Sequence, residues 1–116
     1  MKTAFRLCLT LISVIFFGVA ILYNDARSEH DADKAACPLV HPSHAVEAVV
    51  QDLTRSDNPI FNEYHLTAKT ISIDFAGVQI GPNTILVPFR LSNEPNRQYF
   101  GMPRCAVLSS VEYAHD

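Results

Sequence analysis

The hydrophobic residues of this chain are concentrated at its N-terminus. Residues 7–22 form a run of sixteen residues without a charged side chain, and Lys2 and Arg6 precede this run. A positive flank followed by an apolar run is typical of export signals and membrane anchors, and the positive flank keeps the N-terminus in the cytoplasm. We therefore expect residues 1–23 to be a signal peptide or a single-pass membrane anchor.

The length of the apolar run leaves both fates open. A signal peptide has an apolar region of about 7–15 residues that ends at a small-x-small cleavage site, and Gly18-Val19-Ala20 has this spacing. A membrane-spanning helix needs about 17–25 residues, and Ile21, Leu22 and Tyr23 extend the run toward that length. We favour the uncleaved anchor. With either fate, the rest of the chain is expected on the exported side, in the periplasm or outside the cell.

Residues 24–36 separate the apolar run from the rest of the chain. Their only apolar side chains are alanines, so the segment has little hydrophobic surface to bury against the entropy of ordering. We predict a flexible polar linker, with a short surface helix as the alternative that the alanines allow.

The apolar positions of residues 44–55 follow the period of an α-helix. The residues that fall within one arc of about 140° are Ala45, Val46, Val49, Val50 and Leu53. Ser43 is the predicted N-cap, and the Ser-Asp-Asn-Pro run at residues 56–59 is the predicted end. The width of the stripe favours packing against a core over binding to a partner.

The pattern then changes to the period of two that is typical of strands. Within residues 70–75 the residues on one face are Ile71, Ile73 and Phe75, and within residues 85–91 they are Ile85, Val87, Phe89 and Leu91. Between them the phase slips by one at Ala76-Gly77, which predicts a β-bulge, and residues 81–84 form a turn. Pro88 cannot donate to a strand ladder, so it predicts an edge or a locally irregular pairing.

The C-terminal third predicts a second hairpin. Residues 92–97 form a turn, Gln98–Met102 a short strand, and Cys105–Tyr113 a final strand. The segment 60–69 is left open between a loop and the start of a strand. One helix followed by a meander of three or four antiparallel strands predicts an α+β domain over residues 37–116, in which the helix covers the apolar face of the sheet.

Cysteine positions suggest how so small a domain is stabilised. The composition is 48 % hydrophobic, but only about 80 residues follow the export segment and linker, and domains of this size are marginally stable. Of the three cysteines, Cys8 lies in the apolar run, and the other two, Cys37 and Cys105, flank the domain. An even number of cysteines in an exported domain predicts a disulfide. The chain-entropy estimate for this pairing is about 4 kcal/mol.

Charge and motifs exclude several functions. The 9 basic and 12 acidic residues give a formal net charge of −3, so we expect no nucleic-acid partner. The motifs of nucleotide-binding loops, zinc proteases and serine hydrolases do not occur, so we expect neither an enzyme nor a cofactor. A hydrolase would require a deep cleft with His65 or His44 beside a carboxylate. Cys37, His41 and His44 form a candidate metal or redox site, although three ligands without a CxxC pair are a weak signal.

The strongest candidate for partner binding lies around the second hairpin. The candidate residues combine cations with aromatic rings: Arg90, Arg97, Tyr99, Phe100 and Arg104. Arginine and tyrosine are enriched at protein interfaces, although arginines also protect strand edges from pairing. We therefore expect an exported binding or accessory module of the cell envelope that recognises a membrane or envelope protein through its sheet. The alternative is a small periplasmic metal-handling or redox protein built on Cys37, His41 and His44.

Overall fold

The computed structural model describes the backbone of residues 2–116, and the side chains of residues 11–20 and 27–116. The chain divides into two compact units between Asp31 and Ala32. Within the described residues, no helix has an apolar stretch long enough to cross a membrane. The predicted export or anchor segment, residues 7–23, lies partly outside these residues, because the side chains of residues 7–10 and 21–23 are not described.

Helix α1 comprises Lys2–Ala36 and includes the predicted linker. Residues 24–36 are therefore helical, where we predicted flexible coil with a short helix as the alternative. This stretch contains four alanines and neither glycine nor proline, so its helix propensity is high. Asp33 in addition accepts hydrogen bonds from the Arg104 side chain at 3.2 Å and from the Ala106 N–H at 3.0 Å. A contact of this kind, distant in sequence, is not visible in local composition.

Helix α2 comprises Pro42–Thr54 and carries the predicted apolar stripe. Ala45, Val46, Val49 and Leu53 are buried and Val50 is half-buried, as predicted. The prediction of Ser43 as the N-cap is wrong. Pro42 occupies the first helical turn, where its missing N–H costs nothing, and the cap is His41, whose Nδ1 accepts from the Ser43 N–H at 3.2 Å.

The sheet is antiparallel, so the prediction of an α+β fold with one helix on a meander is confirmed. Its strands are β1 (Ile71–Ile73), β2 (Gln79–Ile80), β3 (Ile85–Leu91), β4 (Glu94–Pro103) and β5 (Val111–His115). The strand order is β1-β3-β4-β5, and β2 pairs with the start of β3. The four predicted core residues of β3 are all at most 1 % exposed: Ile85, Val87, Phe89 and Leu91.

The core lies between α2 and one face of the sheet, and Phe61 closes it. The Phe61 ring meets Tyr113 edge-on at 5.1 Å and Tyr99 at 5.7 Å, and Phe89 stacks on Tyr99 at 5.4 Å. Buried Asn58 fixes this segment, since its Oδ1 accepts from the N–H groups of Ile60 and Phe61, each at 2.9 Å. Residues 60–69 therefore form an ordered loop that completes the core.

The slip in hydrophobic phase at Ala76-Gly77 has a different structural basis from the predicted β-bulge. Phe75–Gly77 form a turn of 3-10 helix, which the Asp74 side chain caps by accepting from the Gly77 N–H at 3.2 Å. Phe75 consequently leaves the core and is 68 % exposed. The same turn makes the pairing of Pro88 irregular on the side of β3 that faces β1. β1 has already ended there, and the Asp74 N–H donates to the Pro88 carbonyl at 3.0 Å.

The last two strands differ from their predicted bounds. β4 begins at Glu94, four residues before the prediction, and β5 begins at Val111, six residues after it. Residues 104–110 are instead a loop closed by the Arg104 N–H, which donates to the Ser110 carbonyl at 3.0 Å. Cys105 in this loop is tied to Cys37, so its position is set by the disulfide and not by strand pairing.

Candidate functional site

The predicted disulfide between Cys37 and Cys105 is confirmed, and it joins positions 68 residues apart. Cys37 is 1 % exposed and Cys105 is 6 % exposed, so both sulfurs belong to the core. Cys37 in this state offers no thiolate to a metal ion, and His41 uses its Nδ1 to cap α2. Within residues 27–116, no group of three or more histidines, cysteines or carboxylates is arranged to hold a metal.

His44 and His65, the candidate bases of a hydrolase, are both exposed. His44 lines a cavity of about 360 Å³ between α2 and the 104–110 loop, together with Glu47, Asp52 and Ser109. Asp52 already accepts hydrogen bonds from Tyr113 and Asn58. Neither histidine is hydrogen-bonded to a carboxylate of the described chain, so neither forms the base–acid pair that nucleophilic catalysis requires.

The structure brings together three of the five predicted partner-binding residues. Arg90, Arg97 and Tyr99 lie where β3 and β4 meet the connecting turn. Phe100 follows Tyr99 and therefore points to the opposite face of the sheet. Arg104 lies beyond the other end of β4, about 23 Å from Arg97 along an extended strand, and is bound to Asp33. The five residues are thus distributed over different surfaces.

The β3–β4 hairpin ends in a large bulge. Phe89 pairs with Tyr99 and Leu91 pairs with Glu94, so the single residue Arg90 lies opposite the four residues 95–98. Pro95 has no N–H to donate to the ladder, which favours an interruption at this point. Residues 93–97, which we call the hairpin tip, therefore form an irregular end of the hairpin where the sequence predicted an ordinary turn. Bulges of this kind frequently re-aim side chains at binding sites.

Hydrogen bonds from the sheet fix the base of the hairpin tip. Arg90 Nη1 donates to the Pro95 carbonyl at 2.9 Å. Gln98 Nε2 donates to the Phe89 carbonyl at 3.1 Å and to the Tyr99 carbonyl at 2.9 Å. The Gln98 backbone is bound from the other side by Asp116, through its Oδ1 and its N–H, each at 3.1 Å. These bonds satisfy main-chain groups that the bulge removes from the ladder.

A triad of polar side chains closes the tip. The Tyr99 hydroxyl donates to the Glu94 carboxylate, and Arg97 Nη1 lies 3.8 Å from the same carboxylate oxygen. Burial raises the pKa of Tyr99, and its bond to Glu94 raises it further. The pKa of Arg97 is raised chiefly by its hydrogen bond to Tyr99 and then by the charge of Glu94. The Glu94 carboxylate therefore lies between two donors, and Arg97 keeps one edge turned to solvent.

Two residues that support the tip were not predicted from the sequence. The sequence predicts Gln98 only as the start of a strand, and the predicted final strand ends at Tyr113, before Asp116. The tip borders a cavity of about 460 Å³ whose lining residues are Asn93, Glu94, Pro95, Asn96, Arg97 and Asp116. The turn-forming residues at 92–97 were the only local sequence feature that indicated the tip. They did not indicate which residues elsewhere in the chain fix it.

No protein-family model, curated protein or solved structure matches this chain.

Proposed function

We propose that this protein is an exported binding module of the cell envelope and that it contacts a partner protein through the hairpin tip, residues 93–97. One observation carries the proposal: an exposed polar bulge is fixed to the sheet by hydrogen bonds from Arg90, Gln98 and Tyr99. Binding residues lie preferentially on loops positioned by a rigid scaffold. A pre-organised loop also loses less conformational entropy when it binds.

Two features of the chain support export. The N-terminal sequence has the positive flank and apolar run of an export signal. The domain also has a disulfide in its core, and disulfides persist in the periplasm and outside the cell but are rare in the cytoplasm. The partner is therefore an envelope or secreted protein that meets the domain on the exported side.

The side chains of the tip define the chemistry of the partner surface. Asn93, Asn96 and Arg97 are exposed, and each presents N–H donors. The carboxylate of Glu94 faces inward to Tyr99 and Arg97. A partner loop that offers carbonyl or carboxylate oxygens would match this set, with Arg97 as the central contact because arginine makes planar, paired hydrogen bonds.

Site-specific crosslinking tests this proposal. A photoreactive residue at Asn96 of the full chain should capture one partner, whereas the same residue at exposed Asn62 should not. Arg97→Glu should reduce the Asn96 crosslink about tenfold, while Lys69→Glu, the same reversal of charge elsewhere, should leave it unchanged. Equal capture from Asn62, or an undiminished crosslink in Arg97→Glu, would show that the tip is not the binding surface. Tyr99 is unsuitable for substitution because its ring is part of the core.

A further inference from the structure

The positive charges of the domain are not equally paired. Residues 37–116 contain five cations, namely Arg55, Lys69, Arg90, Arg97 and Arg104. Three of them form ion pairs: Arg55 with Asp52 and Asp57, Arg97 with Glu94, and Arg104 with Asp33. Within the described chain Lys69 and Arg90 have no carboxylate partner. These two residues line the same cavity, although the domain carries more acidic than basic residues.

This cavity lies at the β1 edge of the sheet and measures about 290 Å³. Its lining residues are Lys69, Thr70, Ile71, Ser72, Arg90, Leu91, Ser92 and Pro95. Ser72 lies opposite Arg90 in the pairing of β1 with β3, so the two side chains share a face of the sheet. The lining contains two cations and no carboxylate. Of its three hydroxyl groups, that of Thr70 already donates to the Thr67 carbonyl at 3.0 Å, so Ser72 and Ser92 are the hydroxyl donors toward the cavity.

The donors of the cavity are held in place by the backbone. A turn fixes Lys69, since the Thr70 N–H donates to the Thr67 carbonyl at 3.0 Å and the Thr67 N–H donates to Thr70 Oγ1 at 2.9 Å. The Ser92 N–H donates to the Thr70 carbonyl at 3.0 Å and joins the two halves of the cavity. Arg90 uses Nη1 to bind the Pro95 carbonyl, which leaves the other N–H groups of its guanidinium for a ligand.

We propose that this cavity binds an oxyanion group, a phosphate or phosphate ester, between Lys69 and Arg90. Guanidinium and ammonium groups together with hydroxyl donors are the groups that recognise phosphate oxygens in proteins. The nearest acidic residue along β1, Asp74, is directed into its own turn, where its Oδ1 accepts from the Gly77 N–H. The cavity borders the base of the hairpin tip, because Arg90 and Pro95 both line it and are hydrogen-bonded to each other. Lys69 lies outside the tip, however, and phosphate binding does not depend on the proposed function.

Titration with inorganic phosphate tests the site. Amide chemical shifts of the ¹⁵N-labelled full chain are followed at constant ionic strength, with sodium chloride as the reference. We expect saturable shifts at Ile71, Ser72, Leu91 and Ser92. Lys69→Gln should weaken phosphate binding about fivefold or more, because it removes a charge-assisted hydrogen bond. The matched variant Arg97→Gln, which removes a cation outside the cavity, should leave the phosphate affinity unchanged.

Two results would overturn the proposal. One is a set of shifts that rise linearly and equally with phosphate and chloride, which indicates only general screening of surface charge. The other is equal weakening by Lys69→Gln and Arg97→Gln, which indicates a response to net charge and not to a site. Because Lys69→Glu leaves the Asn96 crosslink unchanged under the proposed function, loss of phosphate binding and loss of partner capture are separate outcomes.

The same titration distinguishes the sources of the phosphate group. Glycerol phosphate is a soluble monoester, and glycerophosphoglycerol has the diester headgroup of an anionic lipid without the acyl chains. Tighter binding of the monoester would support a soluble phosphate ester as the ligand. Tighter binding of the diester would support a lipid headgroup. Both results support the site provided that Lys69→Gln weakens the binding.

Discussion

Asp52 joins the C-terminal half of α2 to two other parts of the fold. Its Oδ2 accepts from the Tyr113 hydroxyl at 2.5 Å and from Asn58 Nδ2 at 3.2 Å, and its Oδ1 lies 3.3 Å from Arg55. Tyr113 belongs to β5 and Asn58 to the loop that carries Phe61. A single carboxylate therefore connects helix, loop and last strand. Removing one partner leaves the others partly unsatisfied, and unsatisfied buried polar groups are costly.

Tyr113 makes the stability of the domain depend on pH in the alkaline range. Burial raises the pKa of Tyr113, and the hydrogen bond to Asp52 raises it further. Below a pH of about 10, the ordinary pKa of tyrosine, the phenol is protonated in both the folded and the unfolded chain. Above it, the unfolded chain releases the proton and the folded chain retains it. The free energy of unfolding must therefore fall as the pH rises through this range.

We predict that Tyr113→Phe weakens this alkaline destabilisation. Between pH 9 and pH 11 the free energy of unfolding of the Phe variant should fall by about 1 kcal/mol less than that of the unmodified chain, after an allowance for solvent screening. Urea denaturation at the two pH values measures the difference. Tyr99 is present in both proteins, so its own raised pKa cancels in the comparison. Parallel declines in the two proteins would contradict the role assigned to Tyr113.

At the scale of elements, α2 contacts the sheet closely at one glycine. A Cβ atom added at Gly101 of β4 would lie 2.9 Å from both Cγ atoms of Val49 in α2. Such a distance is shorter than a carbon–carbon contact allows, so helix and strand would have to separate. The absence of a side chain at residue 101 therefore sets the distance between α2 and β4.

We predict that Gly101→Ala destabilises the domain by about 1–3 kcal/mol through overpacking. Val49→Ala in the same chain should recover part of this loss, since it removes the methyl groups that collide. A double-mutant cycle measured by urea denaturation gives this coupling energy directly. Gly81→Ala is the matched control, because its nearest contact outside its neighbours is the Thr84 carbonyl oxygen at 3.4 Å. Additive losses at residues 49 and 101 would refute the proposed close contact.

Elements with strong periodicity could be predicted from the sequence. The apolar faces of α2 and β3 are set by their own residues, and both face the core as predicted. The bounds of β4 and β5 could not be predicted, because the bulge at residues 95–98 and the loop at 104–110 depend on partners elsewhere in the chain. The contacts of the candidate site could not be predicted for the same reason. Arg90 and Arg97 were visible as cations, but the sequence does not show that Arg97 pairs with Glu94 or that Arg90 has no carboxylate partner among the described residues and bonds the Pro95 carbonyl instead.

At the scale of the whole molecule, two neighbouring links join the start of the domain to the loop before its last strand. The disulfide connects Cys37 to Cys105, and the Asp33 carboxylate binds Arg104 and the Ala106 N–H. The C-terminal end of α1 is thus fastened to the 104–110 loop on both sides of Cys105. The covalent link closes most of the domain into one loop, whereas the ion pair is partly exposed to solvent and contributes about 1 kcal/mol.

We predict that loss of the disulfide removes a large part of the stability. Closing a loop of 68 residues restricts the unfolded chain by about 4 kcal/mol, whereas a domain of this size has a total stability of about 4–12 kcal/mol. Cys37→Ala combined with Cys105→Ala should therefore lower the urea midpoint strongly. The Cys8→Ser variant should have the same urea midpoint as the unmodified chain, and reduction should lower the two midpoints to the same extent. Equal midpoints with and without reductant would mean that burial around α2 and Phe61, and not the cross-link, maintains the fold.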